Sequence, residues 1–224
     1  MTVLGIDEAG RGSVFGSMFI AGVLMEEEDM EDLESLGLKD SKELSDIERE
    51  DFVPQIEEVS EATLVKEVTA SEIDELREVT NLNVIELRSF ASIIEELEPD
   101  KAFIDLPEPD GERFANKIRR ELPDNFREVE MVAEHGADEN YPIVSAASIL
   151  AKSGRESHTE DLKDKYGVDF RTGYPHDEDT IDFLEEYLEE HGELPEEARL
   201  SWSTSQKMVE ESEQSGLGSF RNKE

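Results

Sequence analysis

Residues 2–12, TVLGIDEAGRG, decide how the rest of the chain is read. Val3, Leu4 and Ile6 form a short apolar run that ends on two adjacent carboxylates, Asp7 and Glu8, and then on glycines. Such a run, too short for a helix and bounded by glycine, reads as a buried strand over Thr2–Asp7. Residues 16–25, GSMFIAGVLM, are a second run of the same kind, so DEAGRGSVFG is the connection between two strands. Further out, an acidic helical stretch precedes a third strand at Ala62–Thr69. A short helix follows at Ser71–Arg77 with Ser71 as its cap, then a longer one capped by Asn81. In that helix Leu82, Ile85, Phe90, Ile93, Ile94 and Leu97 recur at helical spacing.

Lys101–Asp105 reads as a short buried strand, Gly111–Glu121 as a helix and Arg127–Ala133 as a strand. A small-residue helix starts at Tyr141–Pro142, where proline suits the first turn, and runs through SAASILAK. Helices at Asp177–Glu190 and Glu196–Met208 and a polar, glycine- and serine-rich tail complete the chain. Strands first, then alternation, then helices describe an α/β fold: a mixed sheet flanked by helices, with a helical C-terminal region.

The charge is the outlying property. Among 224 residues, 59 are Asp or Glu and 22 are Lys or Arg, a formal charge of −37. That balance can mark disorder, but the acids lie between patterned apolar runs and coat a folded protein. Two causes fit the coat: a salt-rich surrounding that screens self-repulsion, or a need to bind basic partners. The chain has no cysteine, which excludes disulfides and thiolate metal sites. No apolar run approaches the roughly 20 residues of a membrane span. The first residues enter a strand without a signal-type region, and a monomeric cytoplasmic protein is the expectation.

Asp7, Glu8 and Asp105 end apolar strands, and Asp138 precedes the SAASILAK helix. Strand ends and helix starts are where sites gather in open α/β sheets. Neighbouring strand residues point to opposite faces, so Asp7 and Glu8 share one site only if the chain turns there, which the glycines permit. Several carboxylates without cysteine make a hard oxygen site suited to Mg²⁺ or Mn²⁺, as two-metal phosphoryl chemistry requires. Turn formation for Asp7 and Asp105, and a helix-dipole partner for Asp138, explain the same residues more plainly.

The wording of the segments adds to this. GIDEAGRG, LKDSKELS, FID, EHGADENYPIVSAASILAK, RTGYPHDEDT and HGELPEEARLSWST resemble ribonuclease HII segments in order and spacing, from Val3 to about Met208. The resemblance implies a ribonuclease H-like catalytic domain over 1–170, a helical region over 171–208 packed on it, and a flexible tail over 209–224. It implies that Asp7, Glu8, Asp105 and Asp138 hold two divalent ions, Mg²⁺ or Mn²⁺. The activity it implies is hydrolysis of the RNA strand of RNA–DNA hybrids and cutting 5′ to ribonucleotides in duplex DNA, leaving 3′-hydroxyl and 5′-phosphate ends. Gly10, Arg11 and Gly12 match an element similar to a backbone cradle for the 2′-hydroxyl, and Tyr174 matches a tyrosine that packs on the next nucleotide. Lys39, Ser41, Lys42, Ser148 and Lys152 stand as substrate-phosphate contacts. Gly136, Ser13, Ser17 and Ser203 depart from residues usual in relatives, which puts substrate affinity in question.

In the tail, Gln214, Leu217 and Phe220 resemble the Gln-x-x-Leu-x-x-Phe peptide that docks on a DNA sliding clamp. Residues three apart share one side of a tight helical turn, and the second aromatic usual in the motif is replaced by Arg221. The net charge yields a prediction of its own. If the acid is a salt adaptation, the melting temperature rises with KCl from low to molar concentration, because screening removes repulsion. A temperature flat or falling with KCl would leave the basic-partner explanation.

Overall fold

The computed structural model describes the backbone of residues 1–38, 44–106 and 110–221. In chain order these form strands β1 (Thr2–Ala9) and β2 (Met18–Glu26), helices α1 (Met30–Ser35) and α2 (Asp46–Val59), and strand β3 (Ala62–Val68). Helices α3 (Ala70–Arg77) and α4 (Leu82–Leu97), strand β4 (Lys101–Asp105), helix α5 (Gly111–Glu121) and strand β5 (Glu130–Glu134) follow. Helices α6 (Ala137–Asn140), α7 (Pro142–Tyr166), α8 (Glu178–His191) and α9 (Ser203–Arg221) close the chain. None of the helices described is long and apolar enough to cross a membrane.

The sheet is mixed, in the order β3-β2-β1-β4-β5, so β1 is its centre. β1 runs antiparallel to β2, with Asp7 opposite Ala21, and parallel to β4, with Ile6 opposite Ile104. β5 continues the parallel half, pairing Asp105 with Glu134. Helices cover both faces of β1, which is why Val3, Leu4 and Ile6 are all buried instead of alternating with polar residues. Gly5 explains how close one cover lies. A methyl group there would sit 2.3 Å from the Ile143 carbonyl oxygen, so the start of α7 packs directly on the strand. On the other face Gly22 makes room for Ile93 and Leu97 of α4.

The chain divides into two compact units, each discontinuous in sequence. The first holds residues 1–9, 19–67 and 82–156, with a core of Val3, Ala21 and Val23 against Ile143, Ala147 and Leu150 of α7. The second holds residues 10–18, 68–81 and 157–224; Phe15, Phe170, Phe183 and Leu188 lie at its centre. Phe15 meets Phe170 edge-on at 4.8 Å between ring centres. The second unit's last segment starts inside α7 at Ser157, and the unit takes in the glycine connection after β1.

Three expected elements differ, each for a local reason. α3 is capped by Thr69, not Ser71: the Thr69 side chain accepts from the Glu72 backbone while Glu72 reaches back, a reciprocal capping box. Residues 196–202 are not helical, because Ala198 bridges to Phe15 and the Arg199 amide donates to the Val14 carbonyl. α9 runs to Arg221 instead of ending at Met208, so the tail expected to be flexible carries helix. Val209–Gln214 contains no glycine or proline, and a helix once nucleated extends at little cost.

Candidate active site

At the carboxylate end of the sheet, in the first unit, Asp7, Glu8, Asp105 and Asp138 act on one another. Asp7 is 5 % exposed, and burial pushes its carboxyl up to about 7, with the charge of Asp105 adding to the rise. The Ser148 hydroxyl, the Glu8 amide at 2.8 Å and the Lys152 ammonium offset part of that rise. Asp105 is raised by burial and by Asp138, and held down by the Ala137 amide, which donates to its Oδ1 at 2.8 Å. That amide is at the start of α6, reached through Gly136 in the left-handed conformation at φ 73°. Asp138 lies in the same helical turn and is 7 % exposed.

The turn expected between Asp7 and Glu8 is absent, since β1 continues as strand through Ala9. Their side chains leave opposite faces, and Glu8 meets Glu86 on α4. Burial first, and Glu86 next, hold the Glu8 carboxyl well above the usual carboxylate range. Glu86 is fully buried and was missed from sequence, although it stands within the apolar stripe between Leu82 and Phe90, where a charge is out of place. Among the described residues, no three His, Asp or Glu side chains stand together as a ready ligand set for an ion. The cause is visible in the partners: Asp105 is turned to Ala137 and Glu8 to Glu86. The set nevertheless suits a divalent cation. Its oxygens are mutually repelling, and Glu8 Oε2 is buried with no hydrogen-bond donor.

Ser148, expected at a substrate phosphate, is fully buried near Asp7, and its hydroxyl has no hydrogen-bond partner among the described residues. Lys152 acts on the same carboxylate. Lys39, Ser41 and Lys42 lie outside the described residues. So do the side chains of Leu217 and Phe220, while Gln214 is exposed on α9.

The second unit contains the glycine-arginine-glycine loop. Gly10 takes a positive φ of 79°. The Arg199 side chain, fully buried, donates to the carbonyls of Gly10 at 2.7 Å, Arg11 at 2.9 Å and Gly16 at 2.9 Å. In a trans peptide the N–H points opposite to its C=O. Fixing the Gly10 and Arg11 carbonyls on Arg199 therefore turns the amides of Arg11 and Gly12 away from it, where Gly12 is exposed. Tyr174 closes one side: a methyl group on Gly12 would lie 3.6 Å from its ring. Gly173, at φ 77°, accepts from the amides of Val14 and Phe15 at 2.9 and 3.1 Å and ties the two loops together. Sequence reasoning brought Gly10, Arg11, Gly12 and Tyr174 to one place but missed Arg199. Its guanidinium stacks over Trp202 at 4.8 Å, and a lone cation in the apolar wording ARLSW was the available signal.

The matching family model is that of ribonuclease HII, over residues 4–205. A ribonuclease HII of Methanothrix thermoacetophila is 42 % identical over 208 residues, 93 % of this chain and 97 % of that protein. The crystal structure of ribonuclease H2 from Pyrococcus horikoshii OT3 superposes with a TM-score of 0.88 at 39 % identity, covering 94 % of this chain and 98 % of that one. The RNase HII of the PCNA:RNase HII complex from Archaeoglobus fulgidus superposes with a TM-score of 0.82 at 38 % identity, covering 92 % and 96 %.

The buried carboxylates give a prediction independent of activity. A carboxyl whose folded value is raised from 3.8 to about 7 costs stability progressively as pH climbs through that window, and the whole cost is present above it. In metal-free buffer at pH 8, Asp7→Asn should melt higher than the native protein, by about 2–4 °C per kcal/mol recovered. The gap should narrow below pH 7 and close near pH 4. Equal melting temperatures at pH 8 would mean that the Asp7 charge is already compensated.

Proposed function

Since the chain belongs to the ribonuclease HII family, whose members cleave the RNA strand of RNA–DNA hybrids, we propose that it also incises duplex DNA at single embedded ribonucleotides. The observation that carries this is the loop held by Arg199, with two outward amides beside Tyr174. A ribose 2′-hydroxyl is the one local group that separates RNA from DNA. Its oxygen accepts from the Arg11 and Gly12 amides, and the absence of a Cβ at Gly12 admits the sugar. Tyr174 packs on the next sugar, whether or not that sugar bears a hydroxyl, so a single ribonucleotide is enough for recognition. The Arg11 side chain contacts the neighbouring phosphate.

The family uses divalent metals, and here Asp7, Asp105 and Asp138 would hold them, joined by Glu8 once its side chain leaves Glu86. Two such ions, Mg²⁺ or Mn²⁺, supply an activated water and charge compensation at the leaving oxygen. The protein's share is orientation. The Ala137 amide holds Asp105, the Glu8 amide and Lys152 favour the ionised form of Asp7, and burial together with Glu86 raises the Glu8 carboxyl. Cleavage on the 5′ side of the ribonucleotide leaves a 3′-hydroxyl and a 5′-phosphate.

We further propose that Gln214, Leu217 and Phe220 dock on a sliding clamp. Two things support this: the motif's spacing along α9, and a related ribonuclease HII whose solved structure is a complex with PCNA. Burying Leu217 and Phe220 would contribute about 1.5–3 kcal/mol each.

Incubation with a DNA duplex carrying one ribonucleotide tests the first proposal. With Mg²⁺ or Mn²⁺ the native protein should nick it 5′ to the ribonucleotide; EDTA, Asp105→Asn or Asp138→Asn should abolish or cripple the reaction. Tyr174→Ala should slow nicking at the single ribonucleotide more than cleavage within an all-RNA tract, and equal losses would count against the junction role. For the second proposal, calorimetry of the full chain against the matching clamp should show binding that Leu217→Ala with Phe220→Ala removes. Cleavage of a free oligonucleotide by that variant should be unchanged. A native chain that gives no heat with the clamp would make the motif an accident of composition.

A further inference from the structure

In a chain of charge −37, α5 alone among the described helices and strands has more basic than acidic residues, four against two. Its sequence is GERFANKIRRE. Phe114, Ala115 and Ile118 turn inward, and the helix packs on α4 and β5. The outward face lines a cleft of about 460 Å³ with Asp110, Glu112, Arg113, Asn116, Lys117 and Arg120.

Glu112 lines the same cleft, and two further carboxylates near this face serve the helix and its neighbour. Asp110 caps the helix by accepting from the Arg113 amide at 3.0 Å, and Glu121 pairs with Arg88 at 3.1 Å. Helix stability accounts for only some of the cations. Arg119 and Arg120 suit the negative end of the helix dipole, but Arg113 stands in the first turn, where a positive charge opposes it.

The helix is also tied to the carboxylate end of the sheet. A methyl group on Gly111 would lie 1.9 Å from the Ala133 carbonyl oxygen, so the first residue of α5 rests on β5. Ala133 is the register partner of Ile104, the residue before Asp105. From Arg113 to Arg120 the basic face extends about 10 Å along the helix axis. That spans about three phosphates of one strand, at about 3.4 Å of rise each.

We propose that Arg113, Lys117 and Arg120 form a second nucleic-acid contact, gripping phosphates of the substrate duplex outside the segment that is cut. The proposal rests on the nuclease reading above. The contact is to backbone and is blind to sequence, and its two guanidiniums offer the paired donors that phosphate oxygens accept.

The test is a titration of full-length protein, in EDTA, against labelled RNA–DNA hybrid and against all-DNA duplex. It covers a range of KCl in which circular dichroism shows every protein folded. The variant Arg113→Ala/Lys117→Ala/Arg120→Ala should bind both duplexes at least about tenfold more weakly at the lowest salt. Its plot of log affinity against log salt should be shallower by about 2–3, the loss of three phosphate contacts at about 0.9 each. Arg113→Lys/Arg120→Lys, which keeps the charge, should retain the native slope. An unchanged slope and affinity in the alanine variant would overturn the proposal. A lowered melting temperature with unchanged slope would also overturn it, since the cations would then serve the helix alone. Native protein that cleaves hybrid in Mg²⁺ while the slope is unchanged refutes this contact only. Native protein that binds with the expected slope difference but does not cleave refutes the nuclease reading only.

Discussion

The backbone of α7 lies directly on β1 at Gly5, and much of the first unit follows from that approach. With no side chain between them, Ile143 and Val144 are drawn onto the strand, and the next turns of α7 are carried past Asp7. This is how a fully buried serine and a lysine ammonium come to act on a carboxylate in the middle of a sheet. A larger residue at position 5 would lift the helix and move both groups away from Asp7. On the opposite face α4 brings Glu86 against Glu8. The central strand thus offers two carboxylates to two different helices, and burial beneath them raises both.

Burying acids at the centre of the molecule costs stability that its hydrophobic core must offset. Unpaired or repelling carboxylates in a dry setting are unfavourable by several kcal/mol when ionised. The arrangement makes sense where a cation is expected to arrive, because the repulsion that opposes folding is the same interaction that attracts the ion. The surface shows the opposite economy. The acid of α1 and α8 is exposed, where water and salt screen it. Arg49 and Glu156, paired at 2.6 Å and largely shielded from solvent, are an exception that joins α2 to α7.

Strands and helices bounded by sharp punctuation were legible in the sequence. KAFID and Gly111–Glu121 begin and end where the structure has them, because Pro99, Asp110 and Leu122-Pro123 stop the pattern on either side. Less was legible where a distant partner decides. Ser71 and Thr69 are both acceptable caps, and only the reciprocal bond with Glu72 chooses Thr69. Glu196–Leu200 has helical composition, yet pairing with Val14 and Phe15 keeps it out of a helix. The four carboxylates and the glycine loop stood out by their wording. Glu86 and Arg199, which set the state of Glu8 and the shape of the loop, each looked like one more charge in a highly charged chain.

Arg199 also fixes when the loop can take shape during synthesis. It is separated from the Gly16, Arg11 and Gly10 carbonyls by 183, 188 and 189 residues of chain. A ribosome delivers the N-terminus first, and domains fold as their parts emerge. The glycine loop is thus made long before it can be fixed: until Arg199 is translated, its side chain cannot hold the three carbonyls. A nascent chain paused before residue 199 already contains β1, β4 and β5 with their carboxylates, yet it lacks the side chain that fixes the glycine loop. The shape of this loop is in this sense settled late in the growth of the polypeptide.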